Sequence, residues 1–211
     1  MIDLEKIYDG SSLSTTETES VFAEMFAGKL DPVLCSSLLT AMKMNGYTAS
    51  EIGGAASAML NAAVHFERDL SIDTGDIVGT GGDCLSTINI STLAAIVCAE
   101  LGLHIAKHGN TAVSSKTGAS DLLQQLGYDI RCPQELSRKN LEENGFAFIF
   151  AQVYHPGMRF IAPIRKKLST STIFNLLGPL CNPCRINYQI LGCYDPTQLV
   201  TMVKADRKSV V

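Results

Sequence analysis

Along the first third of the chain, apolar residues recur at the three-to-four-residue spacing of amphipathic helices. Val21, Phe22, Met25 and Phe26 share one face of a segment that Ser14 or Thr16 can cap and Gly28 can close. Asp31 followed by Pro32 reads as an N-cap with proline at the first helical position. Leu34, Leu38, Leu39 and Met42 line the helix that follows, which Gly46 stops. Thr48 to Glu51 has capping-box spacing and opens a third helix, with Ile52, Ala55, Ala56, Met59 and Ala63 on one side. Alanine and glycine are dense there (GGAASAML), which permits close approach of another helix.

From about residue 75 onward the rhythm changes to short apolar runs alternating with helical ones. Ile77-Val78 leads into a glycine loop and a helix from Leu93 to Leu101, ended by Gly102. LHIAK is a strand candidate, Leu122 to Leu126 is helical and ended by Gly127, and Tyr128 to Ile130 reads as a short strand. Pro133 starts a helix that ends at Gly145, and FAFIFA is a buried strand. Residues 156–168 look helical, with Pro163 expected to bend or restart the helix, and YQILGCY is the last strand. This alternation predicts an α/β layer on a mainly parallel sheet. The expected division is a small helical domain over 1–70, with a contribution from about 156–180, and an α/β domain over 71–211. A crevice between two such domains is a natural ligand site.

Composition narrows the function classes. The chain has 211 residues, 46% hydrophobic and 18% charged, with a formal net charge of −4. Neither that charge nor any basic run supports a nucleic-acid partner. No stretch of about eighteen apolar residues predicts a membrane span, and MIDLEKIYDG lacks the blocks of a signal peptide. Seven cysteines fit reduced thiols in the cytoplasm, with Cys98 and Cys193 as core fillers. Cys181-Asn-Pro-Cys184 has neither the second pair nor the nearby histidines of a zinc site.

The chemistry-bearing stretch is GTGGDCLSTINIST at 79–92. Glycines let backbone N–H groups approach an anion, and a strand-to-helix loop places those groups where the helix dipole favours phosphate. Asp83 suits a divalent cation or a ribose hydroxyl, and Thr87, Asn89, Ser91 and Thr92 add neutral donors at the helix mouth. The sequence matches neither common nucleotide motif, and a glycine turn with a hydroxyl cap is the plainer alternative. A second stretch, KHGNTAVSS at 107–115, follows the LHIA strand and so falls at the same sheet edge if the strands are parallel. Lys107 is a cation for phosphate there, while His108 reads equally well as a structural histidine. In a third stretch, YHPGMRFIAPIR, Arg165 can offer a fork of donors to a planar carboxylate. Composition alone would make it a surface charge, as it does Arg159, Lys166 and Lys167.

GTGGD…TINIST at 79–92, KHGN…SS at 107–115, YHPGMRFIAPIRKKL at 154–168 and TIFNLLGPLCNP at 172–183 occur in that order. Together they resemble the anthranilate phosphoribosyltransferase family over about residues 16–200. The resemblance implies the nucleoside phosphorylase/phosphoribosyltransferase type of fold, here C-terminally truncated: a small helical domain plus an α/β domain, usually as a homodimer. It implies transfer of the phosphoribosyl group of phosphoribosyl pyrophosphate (PRPP) to anthranilate, with release of pyrophosphate, in tryptophan biosynthesis with Mg2+. It assigns Gly79, Gly82, Asp83, Thr87, Asn89 and Thr92 to the pyrophosphate and ribose, and Ser91 to magnesium. Lys107, His108, Gly109, Asn110, Ser114, Ser115 and Ala119 bind the donor. Asn110 and Arg165 hold anthranilate, with Gly79 at its edge and His108 and His155 along its route. No strong general base is implied.

The chain departs from the family in three places. Thr111 and Ser171 stand where arginines are common, and the later Asp-Glu pair that binds magnesium is absent from these residues. Two alternatives follow: a shortened, catalytically impaired relative acting as a binding or assembly module, or a nucleoside phosphorylase-like enzyme. Phe22, Phe26, Leu34 and Leu38 serve equally as a dimer face or as core.

Overall fold

The computed structural model describes residues 4–66, 70–80, 88–111 and 118–209. In chain order its elements are α1 (Leu4–Tyr8), α2 (Thr15–Phe26), α3 (Pro32–Asn45), α4 (Ala49–Asn61), β1 (Thr74–Gly79), α5 (Ile90–Glu100), β2 (His104–Gly109), α6 (Ala119–Gln125) and α7 (Gln134–Asn144). There follow β3 (Phe146–Phe150), α8 (Ala151–Tyr154), α9 (Met158–Leu168), α10 (Phe174–Leu177), a 3-10 turn at Gly178–Leu180, β4 (Tyr188–Gly192) and α11 (Pro196–Ser209). They form two compact units. One takes Met1–Ala63, His155–Cys181 and Asp195–Val211, and the other takes Val64–Tyr154 and Asn182–Tyr194. No helix among the described residues is long and apolar enough to cross a membrane.

The helical unit begins its helices where the local chemistry dictates. Ser14 Oγ accepts from Glu17 N while the Glu17 carboxylate accepts from Ser14 N, a reciprocal cap at the start of α2. Asp31 accepts from Val33 N and Leu34 N ahead of Pro32. Thr48 and Glu51 repeat the box on α4. Glu51 is buried, and its second carboxylate oxygen accepts from Leu13 N. Val21, Phe22, Met25, Phe26, Leu38, Leu39, Met42, Ile52, Ala55, Ala56 and Met59 are all buried. Phe22, Phe26 and Leu38 are therefore committed to this core, whereas Leu34 is exposed beside Val33. Of the two outcomes expected at Pro163, a bend or a restart, the restart is corrected: α9 runs through it as one helix. Proline removes a single intrahelical donor, the one that would reach the Arg159 carbonyl, and the rest of the ladder persists.

The α/β unit is built on a four-stranded sheet in the order β3-β2-β1-β4, with every neighbouring pair parallel. Register pairs Thr74 with His104, Ala106 with Ala147 and Val78 with Leu191. Alternate residues of β3 enter two clusters. Ala147 and Ile149 pack with Phe66, Leu141 and Tyr154, while Phe148 and Phe150 pack with Leu123 and Ile130. Both faces of the sheet centre are thus covered, as parallel sheets require. The expected strand at Tyr128–Ile130 is a turn instead. Asp129 folds it, accepting from Arg131 N with its side chain and from Cys132 N with its carbonyl. Tyr128 and Ile130 still pack against the sheet, and the Tyr128 hydroxyl accepts from Phe148 N of β3. Cys98 and Cys193 are half-buried, not core, because neither α5 nor the terminal strand β4 is covered all round.

Candidate functional site

Because every strand runs the same way, β1 and β2 end at one edge of the sheet, with Gly79 and Gly109 as their last residues. Past β1, Thr80 N donates to Gly192 O of β4, and Thr80 Oγ1 accepts from Tyr194 N. Past β2, Ser120 N donates to Asn110 O. Asn89, the residue ahead of α5, donates its side-chain amide to Gly118 O (3.1 Å), tying the start of α5 to the residue ahead of α6. The two loop exits are therefore joined directly. At Gly109 an added methyl would lie 2.7 Å from the Phe148 ring and 3.2 Å from the Ala119 methyl, so a larger residue there would have to displace that ring. Ser91 is half-buried and Thr92 buried in the first turn of α5. Gly82, Asp83, Thr87, Ser114 and Ser115 lie outside the described residues.

Below this edge lies a buried polar network that sequence reasoning missed. Asp76 in β1 is 1% exposed, and its carboxylate accepts from His108 N (3.3 Å) and Asn182 Nδ2 (3.0 Å). Asn182 Nδ2 also donates to Ala106 O, and its oxygen accepts from Cys184 N. Lys107 is 3% exposed and donates to Ile77 O (2.7 Å). Burial raises the Asp76 pKa and lowers that of Lys107, and the attraction between the two charges opposes both shifts. His108 is itself buried. The side chains of Lys107 and His108 thus lie inside the sheet layer, while Asn110 is exposed at its edge. There Asn110 Oδ1 accepts from Thr111 N (2.8 Å) and from Gln152 Nε2 (3.4 Å). Position alone could have flagged Asp76, a carboxylate inside an apolar strand, but its partners are remote in sequence.

In the helical unit, Arg165 sits half-buried in the last turn of α9. Its Nη2 donates to Asn175 Oδ1 (3.2 Å), and its guanidinium carbon stands 5.3 Å from the centre of the Phe174 ring. Burial lowers its pKa, yet a guanidinium starts so high that it stays protonated. No carboxylate among the described residues forms an ion pair with it. At position 171, Ser171 accepts from Lys43 Nζ (3.2 Å), so a cation does reach that loop.

His155 is 3% exposed and its Nε2 donates to Cys181 O (2.9 Å). Burial pushes its pKa down to about 4 from 6.5, against a weaker upward pull from the backbone of Cys181 and Met59. The folded state therefore prefers the neutral ring. Its stabilisation is complete above about pH 6.5 and is lost as the pH falls from there through about 4. We expect the stability advantage of the wild type over His155→Gln to shrink by about 2–3 kcal/mol between pH 7.5 and pH 4.5, read by urea denaturation. An advantage independent of pH would contradict the assignment.

Comparison with known proteins adds the family. Residues 71–208 match the glycosyl transferase family, a/b domain, and residues 4–63 match the glycosyl transferase family, helical bundle domain. Anthranilate phosphoribosyltransferase from Tolumonas auensis is 53% identical over 198 residues, covering 94% of this chain and 59% of the relative. The crystal structure of anthranilate phosphoribosyltransferase from Thermus thermophilus superposes with a TM-score of 0.92 at 42% identity, covering 99% of this chain and 63% of that one. The Saccharomyces cerevisiae enzyme, solved in complex with PRPP and Mg, gives 0.89 at 34% identity, covering 97% and 61%. The chain thus spans about three fifths of the length of the relatives it matches.

Proposed function

Since this chain belongs to the anthranilate phosphoribosyltransferase family of glycosyl transferases, we propose that it transfers the phosphoribosyl group of PRPP to the amine of anthranilate, releasing pyrophosphate. The observation that carries this reading is the joined pair of loop exits at one edge of a parallel sheet. Gly79 and Gly109 end adjacent strands there, and the amide of Asn89 bridges to Gly118. That arrangement offers backbone donors from two helix approaches to one polyanion.

In the proposed reaction, C1 of the ribose gains oxocarbenium character as pyrophosphate departs. The loop residues 79–92 and 107–119 hold the diphosphate and sugar. Lys107 and Asp76 brace the strands beneath them, since Lys107 donates across to β1. Arg165 takes the anthranilate carboxylate through its guanidinium fork, and Asn110 adds a polar contact. Alignment of a weakly basic amine with C1 supplies much of the rate, so no strong base is needed.

Mg2+ fits the donor set in a limited way. Ser91 gives one neutral oxygen in the first turn of α5, and no cluster of three acidic, histidine or cysteine residues occurs among the described residues. Such a set suits an ion held largely by substrate phosphates and water. When bound, it would neutralise charge on the leaving pyrophosphate. The same reading makes the protein a cytoplasmic homodimer of tryptophan biosynthesis, with Val33 and Leu34 exposed on α3 for a second copy.

The test is titration of the 211-residue chain with anthranilate and with PRPP plus Mg2+. Arg165→Ala should weaken anthranilate at least about tenfold, the scale of one charge-assisted bidentate contact, and leave PRPP within about twofold. Equal anthranilate affinity in the variant and the wild type would defeat this assignment.

A further inference from the structure

The side chains around Arg165 point to a residue whose part in this site is not implied by the motifs. Asn175 Oδ1 accepts two hydrogen bonds, from Arg165 Nη2 (3.2 Å) and from Thr172 N (3.1 Å). Both partners are donors only, so the amide must present its oxygen to them, and its orientation is fixed by chemistry. The backbone donor at Thr172 anchors the amide, and the amide in turn fixes one nitrogen of the guanidinium. The Phe174 ring lies 5.3 Å from the guanidinium carbon. That ring is itself held, 5.6 Å from Phe22 and 6.0 Å edge-on from Phe26, both in the core of the helical unit. Arg165 therefore has one nitrogen tied and a fixed ring beside it.

The identity of the acceptor matters more than its presence. A carboxylate at position 175 would accept the same two hydrogen bonds in the same space. It would also cancel the charge of Arg165 and occupy it as an ion-pair partner. A neutral amide orients the guanidinium and leaves its charge uncompensated. We propose that Asn175 is a positioning residue that holds Arg165 in place with a neutral acceptor, so that its charge is kept for the carboxylate of an incoming aromatic acid. The carboxylate half of this inference rests on the function proposed above. The positioning half does not.

The experiment compares Asn175→Asp, Asn175→Ala and the wild type, all as the 211-residue chain. Two readouts are used: anthranilate binding by its fluorescence, and the Arg165 Nε–H signal in nitrogen-resolved NMR. Asn175→Asp should keep the thermal midpoint and a sharp Arg165 signal, and should weaken anthranilate about tenfold or more, because a fixed negative charge now competes with the ligand. Asn175→Ala should broaden or average the Arg165 signal and weaken anthranilate less than the aspartate does. PRPP affinity should stay within about twofold in both.

An aspartate variant that binds anthranilate as well as the wild type does overturns the charge argument. An alanine variant with an unchanged Arg165 signal overturns the positioning. Equal loss of anthranilate in both variants, with a lowered thermal midpoint, means a merely structural residue and overturns the whole. Absence of anthranilate binding by the wild type sinks the proposed function instead, and the NMR comparison then still decides the positioning.

Discussion

Replacing Asp76 by alanine is expected to destabilise the α/β unit by about 3–5 kcal/mol, the cost of removing one partner from a buried charged network. The reasons are additive in kind. His108 N and Asn182 Nδ2 lose their acceptor inside the sheet layer, and each stranded donor carries a desolvation penalty. Lys107, 3% exposed, loses the neighbouring negative charge that favours its protonated form. Asp76→Asn keeps one acceptor of the same shape and should cost less. Hydrogen exchange of the β2 and β3 amides, with urea denaturation followed in parallel, reads the loss in the unit that holds the network. A change below about 1 kcal/mol for the alanine variant would mean that water takes over the carboxylate's role as acceptor.

The second large effect is expected at Gly54, where α4 crosses α2. A methyl there would overlap the carbonyl oxygen of Thr15 and lie 2.9 Å from the Thr18 Cβ and 3.1 Å from Glu19 N. Two of these three neighbours are backbone, which cannot swing aside as a side-chain tip can. Gly54→Ala should therefore push the two helices apart and cost about 2–4 kcal/mol, at or above the usual range for overpacking, although alanine is the better helix former. Gly178→Ala is the matched control. Nothing lies within 4 Å of a methyl at that position, so its effect should stay within about 1 kcal/mol. Thermal unfolding of the two variants side by side decides the matter, and a Gly54 variant as stable as the control would mean that the helix contact is more pliable than its geometry implies.

Much of the fold could be read from the sequence because its signals act over a few residues. Ser14 with Glu17, Asp31 with Pro32 and Thr48 with Glu51 each mark a helix start by chemistry completed within one turn. Pro133 and Gly145 bracket α7 in the same way. Tyr128–Ile130 misled because two apolar residues flanking a polar one look alike in a strand and in a turn that drops both side chains into the core. Only Asp129, hydrogen-bonded to the residues after it, separates the two cases. Helix α11 gave little periodic signal, since Met202 and Ala205 are buried while Leu199, Val200 and Val203 are exposed.

The candidate site divides along the same line. The glycine-bearing loops announce themselves by composition. The Asp76–Asn182 bond joins residues 106 apart, and the orientation of Asn175 depends on a backbone amide that no motif encodes. Lys107 was legible as a cation near a loop, but its burial was not. Which way a side chain leaves a strand depends on register with β1, and register is a tertiary fact.

The chain passes back and forth between its two units, so each unit is assembled from separated stretches of sequence. A scalpel at any single peptide bond would sever one of them. Residues 1–63 alone would lack α9, α10 and α11, and with them Phe174, which fills the space between Phe22 and Phe26. On the ribosome, α1 to α4 must wait for α9, α10 and α11 to emerge before their shared interior can close.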